Sequence, residues 1–196
     1  MQSGKVSYAN SIFKKRGEPM AIYYTYQHAG AWEAANACGY LFGNPAYGIF
    51  QDEDYAYHRP AYNWLAGQYE QRTKISLRGN YPVWLSKTRP DVARGGYLES
   101  GEPGVVLTVE LPDAHVLAVE AGYWTFALNR CFLSFEDREA RNEEELKKSW
   151  EKMFDIDWCE SIVEEYPETN TKYHYLVARV DLGQVLDVTT FIEEGV

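Results

Sequence analysis

The chain has 196 residues, an apolar fraction of 45% and a formal net charge of −10. This length fits one domain with a hydrophobic core, and the apolar content excludes a disordered chain. The negative charge disfavours broad, non-specific binding to nucleic acid, and no apolar run approaches the roughly 20 residues that a membrane span needs. Three cysteines without CxxC spacing predict reduced thiols in a cytoplasmic protein.

The first part of the chain predicts a leader, a strand and a helix. Residues 1–19 are polar and aperiodic, so we expect a flexible leader rather than a secretory signal, followed by a single domain over 20–196. The aromatic and β-branched run 20–27 predicts a strand. The alanine-rich run 29–37 predicts a short helix that ends at Gly39.

The middle of the chain predicts a helix and three strands. Helical spacing extends over 55–72, and strands are expected at 81–86, 105–111 and 115–119, with a loop over 87–104. The residues expected on the buried face of the helix are Tyr62, Leu65, Ala66 and Tyr69.

The last part predicts two helices and two strands. Helices are expected at 122–130 and from residue 143, the second with Leu146, Trp150 and Met153 on its core face. A central strand is expected at 173–181 and an edge strand at 185–191. Strands and helices alternate without a strict βαβ rhythm, which predicts an α+β fold with mixed, largely antiparallel sheets and four to five helices.

One stretch is positively charged although the chain is acidic. Residues 71–95 carry six basic residues and one acid, a local net charge of +5, whereas residues 136–168 have a local net charge of −8. Lys87, Arg89 and Arg94 follow the strand that bears Trp84 and Ser86. Cations beside an aromatic ring favour a nucleotide or phosphate site, and the alternative is a solvated loop that balances the acidic helices.

Several other chemistries are disfavoured. The four histidines lack zinc-site spacing, so no metal and no structural cofactor are predicted. The chain has neither a Gly-x-Ser-x-Gly elbow nor a P-loop. A Cys–His nucleophile pair stays open, because such partners meet only in three dimensions.

The order of several motifs resembles a bacterial family catalogued as domain of unknown function 3841, over roughly residues 22–191. The motifs are Tyr24-Thr25-Tyr26-Gln27 followed by Trp32 and Gly39, Tyr62-Asn63-Trp64, Tyr81-Pro82-Val83-Trp84, Arg89-Pro90-Asp91 with Arg94, Val109-Glu110-Leu111-Pro112 leading to Val116-Leu117, Trp124 with Leu128-Asn129, and Ser149-Trp150-Glu151-Lys152-Met153-Phe154-Asp155. Similar proteins tend to carry a Gln and a Trp in the last central strand, and this chain departs from them there. The family resemblance implies an architecture but no activity.

A fainter resemblance is to the ADP-ribosyltransferase superfamily, carried by the first strand, the helix with Trp and Ala, and Gly39-Tyr40. That resemblance implies NAD as substrate, held between two small sheets, and a glutamate that stabilises positive charge as nicotinamide leaves. The residues it implies for ligand binding are Tyr24, Thr25, Gln27, Trp84, Ser86, Lys87, Arg89 and Arg94, and the candidate glutamates are Glu110, Glu165 and Glu168. The first strand lacks the Arg or His expected to hold NAD.

Two non-enzymatic alternatives stay open. One is a binding or regulatory module in a stress or phage-defence system, in which the acidic stretch contacts a basic protein or the positive stretch contacts nucleic acid. The other is an assembly role through aromatic surface patches.

Overall fold

A computed structural model describes residues 18–134, 139–165 and 172–194. The elements in chain order are β1 (Met20–His28), α1 (Ala29–Cys38), β2 (Tyr40–Leu41), α2 (Arg59–Thr73), β3 (Val83–Leu85), β4 (Pro103–Pro112), β5 (Leu117–Glu120), α3 (Ala121–Leu128), α4 (Glu143–Trp150), α5 (Ile156–Glu165), β6 (Tyr173–Val177), β7 (Val180–Asp181) and β8 (Val185–Ile192). The predicted α+β class with antiparallel sheets is therefore confirmed. No helix in these ranges is long and apolar enough to cross a membrane.

The chain folds into two compact units, each made of segments that are separate in the sequence. The single-domain expectation stays a prediction, and the expected leader lies outside the described residues except for its last two. The first unit comprises Met1–Leu41, Thr88–Ala114 and Arg179–Val196, and the second comprises Phe42–Lys87 and His115–Ala178.

The first unit is built on the antiparallel sheet β1-β4-β8, with β4 in the centre. The pairing of β1 with β4 runs without interruption from Met20 opposite Pro112 to His28 opposite Gly104. One face of this sheet is buried and mostly apolar, and α1 packs on β1 and β4. The helix ends as predicted, because Gly39 adopts the left-handed conformation (φ 94°) and its amide donates to the Ala35 carbonyl.

The second unit packs helices on the antiparallel sheet β3-β6-β5. Its core is formed by buried side chains from the sheet and the helices, which are Ala61, Leu65, Tyr69, Leu77, Val119, Trp124, Ala127, Leu133, Trp150, Met153 and Leu176. The predicted buried face of α2 is confirmed, since Tyr62 and Ala66 pack against this core beside Leu65 and Tyr69. The core contacts predicted for α4 are likewise confirmed for Leu146 and Trp150, and Met153 joins the core from the 3-10 turn that follows the helix.

Two predicted elements are corrected. The helix expected from residue 55 begins at Arg59, because residues 53–58 form a 3-10 turn that is capped by the Asp52 carboxylate, which accepts from the Asp54 amide. The strand expected over 173–181 is two strands in different sheets. The break lies at Ala178, whose amide donates to the Tyr69 hydroxyl (2.9 Å) instead of a neighbouring strand.

The sequence prediction missed α5. Its apolar residues Ile156, Cys159 and Ile162 recur every three positions, a helical spacing that was present in the sequence. The two-residue strand β2 was also missed, and the remaining strands and helices were predicted within a few residues of their observed ends.

Candidate functional site

The sheet of the first unit has one polar face. Side chains alternate along a strand, and residues paired across antiparallel strands point to the same face. The pairing therefore places Tyr24, Thr108 and Asp187 in one row across the three strands. Tyr26 and Thr189 belong to the next row on the same face.

Arg89 lies over this polar face. Its guanidinium donates a hydrogen bond of 2.6 Å to the Thr189 hydroxyl and lies 3.8 Å from the Asp187 carboxylate. The Thr189 hydroxyl in turn donates to Asp187 (3.1 Å). The Arg89 side chain is 46% exposed, so a cation is held in a defined place with part of its surface open to solvent.

Two further polar groups of β4 share the face. Glu110 is paired with Ile22, which places it diagonally from Tyr24, at the spacing of about 7–8 Å typical of diagonal neighbours. The hydroxyl of Thr108 is buried and has no hydrogen-bond partner among the described residues. Such an unsatisfied group is uncommon in native structures.

A loop covers one end of the face and is fixed by a buried carboxylate. Glu193, which is 2% exposed, accepts hydrogen bonds from the backbone amides of Gly96 (2.6 Å), Tyr97 (3.2 Å) and Leu98 (3.1 Å). The Tyr97 ring packs against Tyr26 at 4.8 Å. Burial, together with the nearby Tyr97 and Glu193, raises the pKa of the Tyr26 hydroxyl, so this ring stays neutral.

The structure brings together three of the residues predicted to form a site in this unit. Tyr24, Arg89 and Glu110 share the polar face. Thr25 and Gln27 point to the opposite, buried face, where the Gln27 amide donates to the Thr25 hydroxyl (2.8 Å). Neighbouring residues of one strand therefore cannot all contact a ligand on this face.

Trp84 and Lys87 belong to the second unit and lie on opposite faces of its sheet. Trp84 packs against Trp124 (5.6 Å) and His174 (5.7 Å) on the face that carries the helices. The Lys87 ammonium lies 5.7 Å from the ring of Tyr175, which points to the other face. The aromatic ring beside this cation is therefore Tyr175 and not Trp84.

The other predicted residues are more dispersed. Ser86 is half-buried and directly follows β3. Arg94 forms an ion pair with Asp91 (3.1 Å), and its side chain is 83% exposed. Glu165 is the last residue of α5, and Glu168 lies outside the described residues.

The second unit also contains a groove of about 970 Å³. Its lining mixes both charges and includes Arg72, Lys148, Lys152, Glu145, Glu151 and Asp155. None of the predicted site residues that the structure describes lines it. Within the described parts of both units, no group of three or more His, Cys, Asp or Glu side chains is arranged to hold a metal ion.

The most perturbed titratable groups surround Glu120 in the second unit. Glu120 is 4% exposed and accepts from the amides of Tyr123 (2.6 Å) and Lys172 (3.3 Å). Burial raises the pKa of Tyr123 and of the Cys159 thiol to about 12 each. Burial also lowers the pKa of His174, with Glu120 opposing that effect. Cys159 is therefore protonated at neutral pH, which excludes it as a thiolate nucleophile.

Comparison with known families gives one match. Residues 22–148 match the family described as Domain of unknown function (DUF3841), which is more than half of the chain. The chain belongs to this family. No curated protein and no solved structure matches it. The resemblance predicted from the motifs is thus confirmed for DUF3841, although the match ends before the Ser149–Asp155 motif.

The sequence prediction missed Thr108, Asp187 and Thr189 of this DUF3841 chain. Thr108 and Glu110 alternate with apolar residues in β4, and Asp187 and Thr189 are likewise two apart in β8. This alternation was the available signal, since it separates a polar face from a buried one.

Proposed function

We propose that this DUF3841 domain binds NAD or a related nucleotide on the polar face of its first unit. The observation that carries the proposal is the position of Arg89 over the face that also bears Tyr24, Thr108 and Glu110. A nucleotide needs a cation for phosphate, a ring for the base and polar groups for ribose, and this face offers each of them.

Arg89 is the phosphate-binding group in this proposal. Arginine binds phosphate oxygens through two parallel hydrogen bonds. The Thr189 hydroxyl fixes one end of the guanidinium, and the contact with Asp187 is long, at 3.8 Å, and about half exposed. Loss of the ion pair with Asp187 therefore costs little, because exposed ion pairs contribute only about 0–1 kcal/mol.

Tyr24 and β4 supply the other contacts. Tyr24 is half-buried, so its ring is supported by the protein while part of it can stack on a base or on nicotinamide. Thr108 lies opposite Tyr24 in the same row of this face. Glu110 accepts a hydrogen bond from a ribose hydroxyl.

In its enzymatic form the proposal is ADP-ribosyl transfer. The C–N bond between ribose and nicotinamide breaks, nicotinamide leaves with the bonding electrons, and an acceptor nucleophile bonds to the same carbon and loses its proton. Glu110 stabilises the positive charge that develops on the ribose, a contribution that is often the largest in catalysis.

A thermal-shift screen tests binding. We expect NAD or ADP-ribose at millimolar concentration to raise the melting temperature, because a ligand that binds only the folded state stabilises it. Arg89→Ala removes the shift, whereas the matched control Arg94→Ala, at an exposed arginine of the same loop, retains it. No shift with any nucleotide contradicts the proposal.

Release of nicotinamide tests the enzymatic form separately. We expect wild type to release nicotinamide from NAD and Glu110→Gln to bind NAD but release far less. Binding without release in wild type would leave a non-enzymatic nucleotide-binding module, which is the alternative function.

A further inference from the structure

Residues 45–58 of the second unit, which we call the tyrosine segment, expose an unusual number of apolar side chains. Nine large hydrophobic side chains are exposed among the described residues, and four of them belong to this segment: Tyr47, Ile49, Tyr55 and Tyr57. Tyr47 is 87% exposed and Tyr57 is 54% exposed. Exposed apolar clusters of this kind mark interaction sites.

The segment is held to the second unit by one buried ring. Phe50 is 2% exposed and packs against Tyr62 (5.2 Å) and Tyr81 (4.9 Å). The Arg59 guanidinium lies 4.8 Å from the Phe50 ring and donates to the Phe50 carbonyl (3.3 Å). The exposed rings are therefore carried on an anchored support, which lowers the entropy lost when a partner binds.

Exposed carboxylates interrupt the aromatic side chains. Asp52, Glu53 and Asp54 are consecutive and exposed. The Asp52 carboxylate caps the following turn by accepting from the Asp54 amide (3.0 Å). Nowhere in the ranges that the structure describes does a cation pair with Glu53 or Asp54.

Two of the tyrosines cluster directly after these acids. The rings of Tyr55 and Tyr57 lie 5.8 Å and 4.1 Å from the ring of His58. The segment thus combines unneutralised carboxylates with adjoining aromatic faces.

We propose that the tyrosine segment is a docking surface for an arginine-rich segment of a partner protein. A guanidinium is the side chain that both stacks on an aromatic ring and pairs with a carboxylate. The chain uses the same contact internally, with Arg59 over Phe50 and Arg179 over Tyr40 (5.1 Å). This proposal is independent of the nucleotide face, since it uses other residues in the other unit.

Charge favours an arginine-rich partner over two alternatives, nucleic acid and a second copy of the chain. Nucleic acid would be repelled by the acids of the segment and by the net charge of −10. A second copy of the chain would bring the same carboxylates to the contact, where like charges oppose association.

Fluorescence anisotropy with a labelled peptide of alternating arginine and glycine tests the proposal on the full chain. We expect saturable binding that weakens with salt, weaker binding of the matching lysine peptide and none of the glutamate peptide. Tyr55→Ala with Tyr57→Ala should weaken binding about tenfold, the loss of two cation–π contacts. Glu53→Gln with Asp54→Asn should also weaken it and reduce its salt dependence.

The matched control is Glu144→Gln with Glu160→Gln, which removes two exposed acids elsewhere in the second unit. Binding within twofold of wild type in this control supports the proposal, and a loss equal to that of Glu53→Gln with Asp54→Asn overturns it. Unchanged binding after loss of both tyrosines also overturns it. Binding of oligouridine would assign the surface to nucleic acid instead. A wild-type dimer that becomes monomeric in the variant Tyr55→Ala with Tyr57→Ala would assign it to a second copy of the chain.

Discussion

Arg89 donates a hydrogen bond of 2.6 Å to Thr189, a residue 100 positions later in the chain. This contact joins the loop before β4 to the edge strand β8 and fixes the cation over the polar face. Because Arg89 and its ion-pair partner Asp187 are about half exposed, the pair adds little to stability. An Arg89 substitution therefore loses little stability through this ion pair, and its ligand-induced shift is measured from the variant's own unliganded melting temperature.

Glu193→Gln is expected to destabilise the first unit. Its carboxylate accepts from three successive amides, and an amide in its place would turn one acceptor into a donor facing Gly96, Tyr97 or Leu98. We expect a loss of about 1.5–3 kcal/mol in the free energy of unfolding, measured by urea denaturation. The neighbouring exposed Glu194→Gln is the control, and equal losses in the two variants would contradict this role.

Two glycine substitutions should change the free energy of unfolding in opposite directions. A Cβ added at Gly48 would overlap the buried Phe50 ring, so Gly48→Ala should cost about 1–3 kcal/mol. Gly67 lies in α2 with open space around it, so Gly67→Ala should stabilise the chain by about 0.5–1 kcal/mol. Denaturation of both variants measures the difference, and destabilisation by Gly67→Ala would be evidence against the observed packing.

The three cysteine thiols should differ in their reactivity toward a disulfide reagent. Cys38 and Cys131 are exposed, whereas Cys159 is buried and its pKa is raised to about 12. Titration of the folded protein with a disulfide reagent at mildly alkaline pH should modify two thiols at once and the third only on unfolding. The double variant Cys38→Ser with Cys131→Ser should not react while folded, and rapid modification of it would show that Cys159 is accessible.

His174 should make stability depend on pH. Burial lowers its pKa below the usual 6.5, so the folded state favours the neutral ring. The contribution is fully present above pH 6.5 and is lost as the pH falls from there through the folded-state pKa, because protonation then favours the unfolded chain. The free energies of unfolding of wild type and His174→Gln should therefore converge or cross between about pH 8 and pH 5. A constant difference across that range would contradict the lowered pKa of His174.

Local sequence patterns predicted the strands and helices but not the contacts that they make with distant parts of the chain. The helical spacing of α2 identified its buried face correctly, because burial of one face is recorded in the local sequence. The break at Ala178 was missed, because it depends on the hydroxyl of Tyr69, which is 109 residues away. No local pattern records such a contact.

Prediction of the candidate site from the sequence was limited in the same way. Lys87, Arg89 and Arg94 are close in sequence, but Lys87 lies beside Tyr175 in the second unit, and Arg89 and Arg94 contact different acids in the first. Which cation lies over which sheet depends on strand register between distant segments. The sequence could therefore identify Tyr24, Arg89 and Glu110 as polar candidates without showing that they share a face.

Titration of NAD into the isotope-labelled chain, followed by backbone amide chemical shifts, decides whether the polar face is a nucleotide site. We predict that the shifts concentrate at Thr108, Glu110 and Thr189 and disappear in Arg89→Ala. Shifts confined to the groove lined by Arg72 and Lys148, or none at millimolar NAD, would contradict it.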